Sequence, residues 1–153
     1  MGKASASARF AASIHQAELL IYDTARWPEF VDGLARVVDV TPPWPDVGGR
    51  VEGESGPAGR GRVSERVISY EPRRGQSVEV ADDSIDGIQS VEFAPAGGGV
   101  AVQLALDYRI RRRNPLTPLV DLLFIRRLMT GSLERTLSRF GVALHEAVRE
   151  GAR

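Results

Sequence analysis

Cysteine is absent from the 153-residue sequence, and lysine occurs once, at position 3. Without cysteine the chain has no disulfides, no thiolate nucleophile and no cysteine-ligated metal site. Neither charge is in excess, because 20 basic residues balance 20 acidic ones. A balanced chain lacks the basic field that attracts nucleic acid or an anionic membrane. We therefore expect no nucleic-acid partner.

Long hydrophobic runs are also missing. The most apolar stretch, LVDLLFI (119–125), contains Asp121 and is too short to cross a bilayer. The first ten residues show no signal-peptide core, and Ala6 stands where a myristoylation signal requires Ser or Thr. The sequence thus predicts a cytoplasmic protein without stable membrane insertion.

Catalytic and cofactor motifs are scarce. The two histidines, His15 and His145, lie at opposite ends of the chain and form no HExxH pair, so no metal site is expected. No nucleophile elbow, dinucleotide fingerprint or phosphate-binding loop occurs. DDSIDG (82–87) lacks the spacing of a calcium loop and is interpreted as a solvated hairpin turn. The sequence predicts no cofactor and leaves the catalytic residues unknown.

The composition is that of one globular domain, with 42% hydrophobic and 26% charged residues. We expect a single domain over 1–153, with 1–7 and 150–153 disordered. An early strand is predicted at 7–14 and short helices at 15–30.

Period-two alternation is clearest in VAVQLALDYRI (100–110), which predicts a half-buried antiparallel strand. Five shorter β-like runs precede it, separated by turn-forming stretches rich in proline and glycine. Their regular spacing predicts a meander. The five runs are RVVDV, GRVEGES, RVSERVISYE, QSVEVAD and IQSVEFAP.

The last part of the chain predicts one long amphipathic helix over roughly Thr117 to Arg149, with Gly151 as a natural stop. Asn114 or Thr117 can cap it, with Pro115 or Pro118 at its first position, and both options stay open. One apolar stripe of this helix lies within about 60° of Leu137. It comprises Leu119, Leu123, Leu133, Phe140, Leu144 and Val148.

An antiparallel sheet must cover its apolar face, and this helix is the only predicted element large enough. The expected fold class is therefore α+β. It has about seven curved antiparallel strands around a long C-terminal helix, and two short helices after the first strand. The space between sheet and helix is either filled core or a ligand cavity.

Three stretches make this pattern resemble a known superfamily. A helix ending at Asp23 is followed by WPEF (27–30) and a strand, SYEPRRG (69–75) forms a strand-end turn, and a long helix carries LERTLSRFGVAL. Over roughly residues 8–148 the chain resembles the helix-grip fold of the START and polyketide-cyclase (SRPBCC) superfamily, which includes the birch-pollen-allergen group.

The resemblance implies a fold that holds lipids, sterols, quinones or polyketide intermediates, and a minority of members that catalyse cyclisation or dehydration. Three hypotheses follow. The chain binds a hydrophobic small molecule such as a lipid, isoprenoid or polyketide. It is instead an aromatase/cyclase or dehydratase that uses no metal or nucleotide, or it is an interaction module with a filled core. A homodimer stays open.

Trp27 and Phe30 lie at i,i+3 spacing and point the same way. They are either a structural plug at one end of the fold or direct ligand contacts. Arg126 falls on the apolar stripe beside Thr130 and Gly131, as expected if a cavity opens beneath the helix. The alternative is that Arg126 extends past the sheet edge or pairs with a structural carboxylate.

RIRRRN (109–114) is interpreted as a charged strand end, with an anionic head group or phosphate as the alternative partner. Tyr70 and Tyr108 could present hydroxyls from the sheet, although a buried tyrosine usually bonds within the protein. The residues expected to contact a ligand are Trp27, Phe30, Tyr70, Phe93, Tyr108, Leu123, Arg126 and Thr130.

Overall fold

The computed structural model describes residues 2–56, 61–111 and 119–151, and only the backbone of 119–122. The elements follow in the order β1, α1, α2, β2 to β7 and α3, with a short 3-10 turn between α1 and α2. The helices are α1 Ile14–Ile21, α2 Trp27–Phe30 and α3 Leu119–Gly151. The strands are β1 Gly2–Phe10, β2 Leu34–Thr41, β3 Arg50–Ser55, β4 Arg62–Glu71, β5 Gly75–Ala81, β6 Ile85–Ala96 and β7 Gly99–Ile110.

The strands form one antiparallel sheet in the order β1-β7-β6-β5-β4-β3-β2. Strands β2 to β7 are a meander, and β1 adds to the free edge of β7. Irregular register in β2 and in β4 marks places where the sheet bends. The α+β helix-grip class predicted from the sequence is confirmed, with seven strands and one long helix.

Alternation in β7 decides which face of the sheet is buried. Val100, Val102, Leu104, Leu106 and Tyr108 are each at most 6% exposed, while the residues between them point away from the core. The same face of β5 and β6 buries further valines and an aromatic ring. These are Val78, Val80, Val91 and Phe93.

Helix α3 covers only part of this face. It packs against β1, α1 and α2, at the edge of the sheet that β1 forms. The part of the same face toward β2, at the other edge, therefore has more space above it. Its buried side chains lie between Met129 and Leu144 and include Leu133, Leu137 and Phe140. The predicted apolar stripe is therefore confirmed for the second half of the helix.

At Leu123 the stripe prediction is wrong, since this side chain is 54% exposed. A helical wheel gives the direction of a side chain, but it does not show whether another element faces the helix at that height. The predicted caps Asn114 and Thr117, both candidate prolines and the side chain of Leu119 lie outside the described residues.

Two hydrogen-bonding devices position α1. Ser13 and Gln16 form a reciprocal capping box at its start. In its middle, the buried carboxylate of Glu18 accepts a hydrogen bond from the backbone N–H of Arg73. Arg73 is the turn residue between β4 and β5, with a positive φ of 64°. The predicted SYEPRRG turn is thus held against α1.

Three sequence expectations need correction. Residues 150 and 151, expected to be disordered, belong to α3, which ends at Gly151. Residues 2–7 are not disordered: they lie in β1, where each pairs with a residue of β7, and the first strand is Gly2–Phe10 rather than 7–14. Alternating small residues hid this strand, because alanine and serine give little hydrophobic contrast. Asp82 is not solvated either: it is 6% exposed and accepts the backbone N–H groups of Ser84 and Ile85.

Candidate functional site: an internal cavity

A cavity of about 200 Å³ lies between the sheet, the segment that contains α2, and α3. It sits on the side of the sheet away from β1, where α3 makes little contact with the strands. Most of its wall is apolar. Its floor includes Val51, Val63, Val78, Val91, Leu104 and Leu106, and its roof includes Ile21, Trp27, Phe30, Val31, Met129 and Leu133.

The WPEF segment forms one wall of this cavity. Phe30 is 1% exposed, and its ring meets the edge of Phe140 with centroids 5.4 Å apart. The indole N–H of Trp27 donates to the carbonyl oxygen of Ile21 at 2.8 Å. Both aromatic rings also line the cavity. A connection that carries two large aromatics is therefore part of the core and part of the cavity wall together.

Asp32 fastens this wall to α3. Its carboxylate accepts hydrogen bonds from Ser132 at 2.9 Å and from Arg135 at 3.1 Å, in a two-pronged contact, and from Arg139 at 3.2 Å. Its backbone N–H donates to the Thr136 hydroxyl at 3.0 Å. Burial alone would raise the pKa of Asp32, but these hydrogen bonds and the two arginine charges outweigh it and lower that pKa.

Asp32→Asn should lower the free energy of unfolding by about 1–2 kcal/mol, because both arginines lose their carboxylate while Ser132 keeps an acceptor. The stability that wild-type Asp32 contributes is fully present above the ordinary pKa of an aspartate carboxyl group. It is lost as pH falls through the lowered pKa of the folded state. Urea denaturation at pH 7 measures the loss. Asp107→Asn, which breaks an exposed contact to Lys3, should change stability little. Equal losses in both variants would contradict this role for Asp32.

Glu65 is the most unusual polar group in the cavity. It lies on the inner face of β4 between Val63 and Val67, opposite Val51 and Val80 on the neighbouring strands. The Glu65 side chain is only half-buried by surface area, because it borders the empty space of the cavity. The carboxyl group is nevertheless surrounded by protein. Among the described residues no hydrogen-bond or ion-pair partner reaches its carboxyl group. Desolvation raises the pKa of Glu65 to about 7.

Two glutamine side chains also line the cavity. Gln76 is 8% exposed and donates through Nε2 to the carbonyl oxygen of Pro45 at 2.8 Å. Gln89, on β6 opposite Val78 and Leu106, makes no side-chain hydrogen bond within the described part of the chain. The mostly apolar cavity thus contains a carboxyl group and an amide that have no hydrogen-bond partner among the described residues.

Tyr22 contributes its ring to the cavity, but its hydroxyl is closed off. That hydroxyl is buried and has no hydrogen-bond partner in the described residues. The ring meets Trp44, Tyr70 and Phe93 edge to face. Burial, followed by the charge of Glu18, raises the pKa of Tyr22. The Tyr22 ring therefore forms part of the cavity wall and packs on three aromatic rings.

The residues predicted to contact a ligand divide into two groups. Trp27 and Phe30 line the cavity. Tyr70 and Phe93 pack on Tyr22 and do not line the cavity. Tyr108 is 3% exposed and lies in the core near the C-terminal end of β7. Burial raises the pKa of Tyr108, and the charge of Arg126 opposes that shift.

Arg126 does not face the cavity. Its side chain is exposed and borders a shallow surface depression together with Leu123 and Thr130. The expectation that its guanidinium points beneath the helix is therefore wrong. The tightly packed part of α3 begins only at Met129, so an inward direction on the wheel leads to solvent at the height of Arg126. In the RIRRRN cluster, residues 112–114 lie outside the described chain.

Sequence reasoning missed Glu65, Gln89 and Asp32. The signal for Glu65 was present, because VSERV (63–67) alternates and places the glutamate between two inward valines. Gln89 alternates in the same way with Val91. Asp32 carried no comparable signal, since its partners stand about 100 residues further along the chain.

Within the described residues, no helix is long and apolar enough to cross a membrane. The same residues contain no cluster of three or more His, Asp or Glu side chains arranged to hold a metal ion.

A curved sheet closed by one long helix over an internal, mostly apolar cavity defines the helix-grip class of ligand-binding folds. The family described as polyketide cyclase / dehydrase and lipid transport matches residues 1–144, and the chain belongs to it. The resemblance noted from the sequence is thereby confirmed. Among curated protein sequences, none matches this chain.

Solved structures share the fold at low sequence identity. A START superfamily protein from Mycobacterium smegmatis is 12% identical with a TM-score of 0.76, over 95% of this chain and 99% of that one. A Rhodobacter sphaeroides protein is 20% identical with a TM-score of 0.71, over 95% and 93%. The di-domain ARO/CYC StfQ from the steffimycin biosynthetic pathway is 16% identical with a TM-score of 0.74, over 97% of this chain and 51% of StfQ.

Proposed function

We propose that this protein binds a compact, mostly apolar small molecule in the cavity between the sheet and α3. The single observation that carries the proposal is the cavity itself, about 200 Å³ of space with a largely hydrophobic wall. A core filled by its own side chains would leave no such space, which argues against a purely structural module.

The cavity volume limits the ligand. A dry apolar cavity of roughly 150 Å³ is enough to hold benzene. The cavity here therefore suits one substituted ring or a short branched chain, such as a small isoprenoid or a short polyketide. A sterol or a multi-ring polyketide would require the walls to move apart.

A second candidate is an enzyme of the cyclase or dehydratase type. Such an enzyme needs at least two polar groups that converge on the substrate. Glu65 and Gln89 supply a carboxyl and an amide in one cavity, and a carboxyl that titrates near pH 7 suits general acid–base work. The binding function requires less of the site and is the one we favour.

A chain without cysteine fits the cytoplasm, and a homodimer is compatible with this proposal.

Ring compounds of suitable size test the binding function. The two tryptophans report directly, because Trp27 lines the cavity and Trp44 packs on Trp27 with ring centroids 5.5 Å apart. Titration with ethylbenzene should change their fluorescence and saturate. Native mass spectrometry of gently purified protein would identify a retained cellular ligand.

Filling the cavity should abolish this binding. Val78→Phe places a ring in the floor of the cavity, so ethylbenzene affinity should fall at least about tenfold, or 1.4 kcal/mol. Ile88→Phe is the matched control, because Ile88 is 42% exposed on the next strand. If Val78→Phe disturbs folding, the smaller Val78→Met gives the same test. Unchanged affinity in well-folded Val78 variants would refute the proposed site.

A further inference from the structure

Among the described residues of the cavity, Glu65 has no charged partner. Among the described lining residues, the titratable side chains are Tyr22, Asp32 and Glu65. The hydroxyl of Tyr22 is sealed away, and Asp32 is already held by Arg135, Arg139 and Ser132. The lining residues of β3, β5, β6, β7 and α3 contribute no ionisable group.

An isolated carboxyl in apolar surroundings favours its neutral form, because nothing offsets the cost of burying a charge. A neutral carboxyl group carries one O–H donor, and the amide of Gln89 carries two N–H donors. Neither side chain donates to a described residue. The cavity therefore offers hydrogen-bond donors at Glu65 and Gln89 for which no described residue is the acceptor.

We propose that the ligand is an uncharged ring or short chain with a carbonyl or ether oxygen, which accepts a hydrogen bond from the neutral Glu65 carboxyl group. This proposal rests on the binding function proposed above and specifies the chemistry of that ligand. Gln89 is the second donor within the same cavity wall.

The opposite assignment, an ionised Glu65 paired with a ligand ammonium group, is less favourable. It requires two charges to leave water together, and the attraction between them often only balances that cost. Among the described residues, no group hydrogen-bonds to the Glu65 carboxylate, as a stable buried ion pair would need. Carboxylic acids kept neutral by an apolar site are known to serve as hydrogen-bond donors.

Three probes of similar shape separate these assignments: acetophenone carries a carbonyl, 1-phenylethylamine an ammonium group, and ethylbenzene neither. Affinities are measured by calorimetry and tryptophan fluorescence between pH 5.5 and 8.5. Acetophenone should bind more tightly than ethylbenzene at pH 5.5, and should lose up to about 30-fold in affinity by pH 8.5 as Glu65 ionises. Ethylbenzene affinity should change little with pH.

Two substitutions at one position sharpen the test. Glu65→Gln mimics the neutral acid, so it should retain acetophenone binding and remove its pH dependence. Glu65→Leu removes the donor, so acetophenone should bind no better than ethylbenzene. Glu92→Gln is the control, because Glu92 is an exposed residue of β6.

Two results would overturn the inference and leave the cavity as a binding site. One is tight binding of 1-phenylethylamine that strengthens with pH and is lost in Glu65→Gln. The other is equal affinity for acetophenone and ethylbenzene at every pH. If none of the three probes binds, both the inference and the proposed function fail.

Discussion

Phe30→Ala is expected to lower the free energy of unfolding by about 4 kcal/mol, as is typical for a buried phenylalanine replaced by alanine. Phe30 is 1% exposed, and its ring contacts Phe140, which is itself fully buried and also contacts Phe10. The substitution would remove the ring that links α2 to Phe140 of α3, which in turn contacts Phe10 of β1. It would also enlarge the cavity, which adds to the cost.

Urea denaturation of the ligand-free protein measures this loss. Phe124→Ala is the matched control, because Phe124 is 61% exposed on the same long helix as Phe140. Trp27→Ala should cost about 3 kcal/mol, since Trp27 is half-buried and loses its hydrogen bond to Ile21. If Phe30→Ala leaves stability nearly unchanged and only ligand affinity falls, the ring serves as a ligand contact and its structural role is refuted.

Periodicity was sufficient to predict the sheet. In β7 the inward residues are large and apolar and the outward residues are small or polar, so a period of two identifies both the strand and its buried face. Short turns between successive β-like runs predict that neighbouring strands pair in sequence order, as in a meander. The observed strand order agrees. In β1 the alternating residues are mostly alanine and serine, and the strand bounds were missed.

The cavity could not be located in the same way, because it depends on where α3 crosses the sheet. Leu133 and Arg126 both lie near the centre of the helical stripe, yet the first is 7% exposed and the second faces solvent. The difference arises because the buried side chains of α3 begin at Met129, whereas Arg126 lies in the preceding turn, where Ile125 is only partly buried against the core. The sequence therefore suggested Arg126 on the helix as the polar group that contacts a ligand. The enclosed polar group is instead a carboxyl group on the sheet, that of Glu65.

The other large expected effect concerns Glu65 and the pH dependence of stability. Folding raises the pKa of Glu65 from 4.5 to about 7, because the carboxylate is desolvated. Between these values the folded state holds a proton that the unfolded state has released, so stability falls as pH rises. The fall is complete above pH 7 and amounts to about 3 kcal/mol, at 1.36 kcal/mol for each unit of pKa.

Glu65→Gln should remove this penalty. We expect the variant to match the wild type in stability near pH 4 and to exceed it by about 3 kcal/mol at pH 8, because the amide does not ionise. Urea denaturation at both pH values measures the difference, and Glu92→Gln should follow the wild type throughout. The carbon-13 shift of the Glu65 carboxyl group should titrate with a midpoint near 7. A midpoint near 4.5, or a Glu65→Gln variant that is no more stable at pH 8, would show that water or a protein group solvates this carboxylate, and the donor role of Glu65 in ligand binding would fall with it.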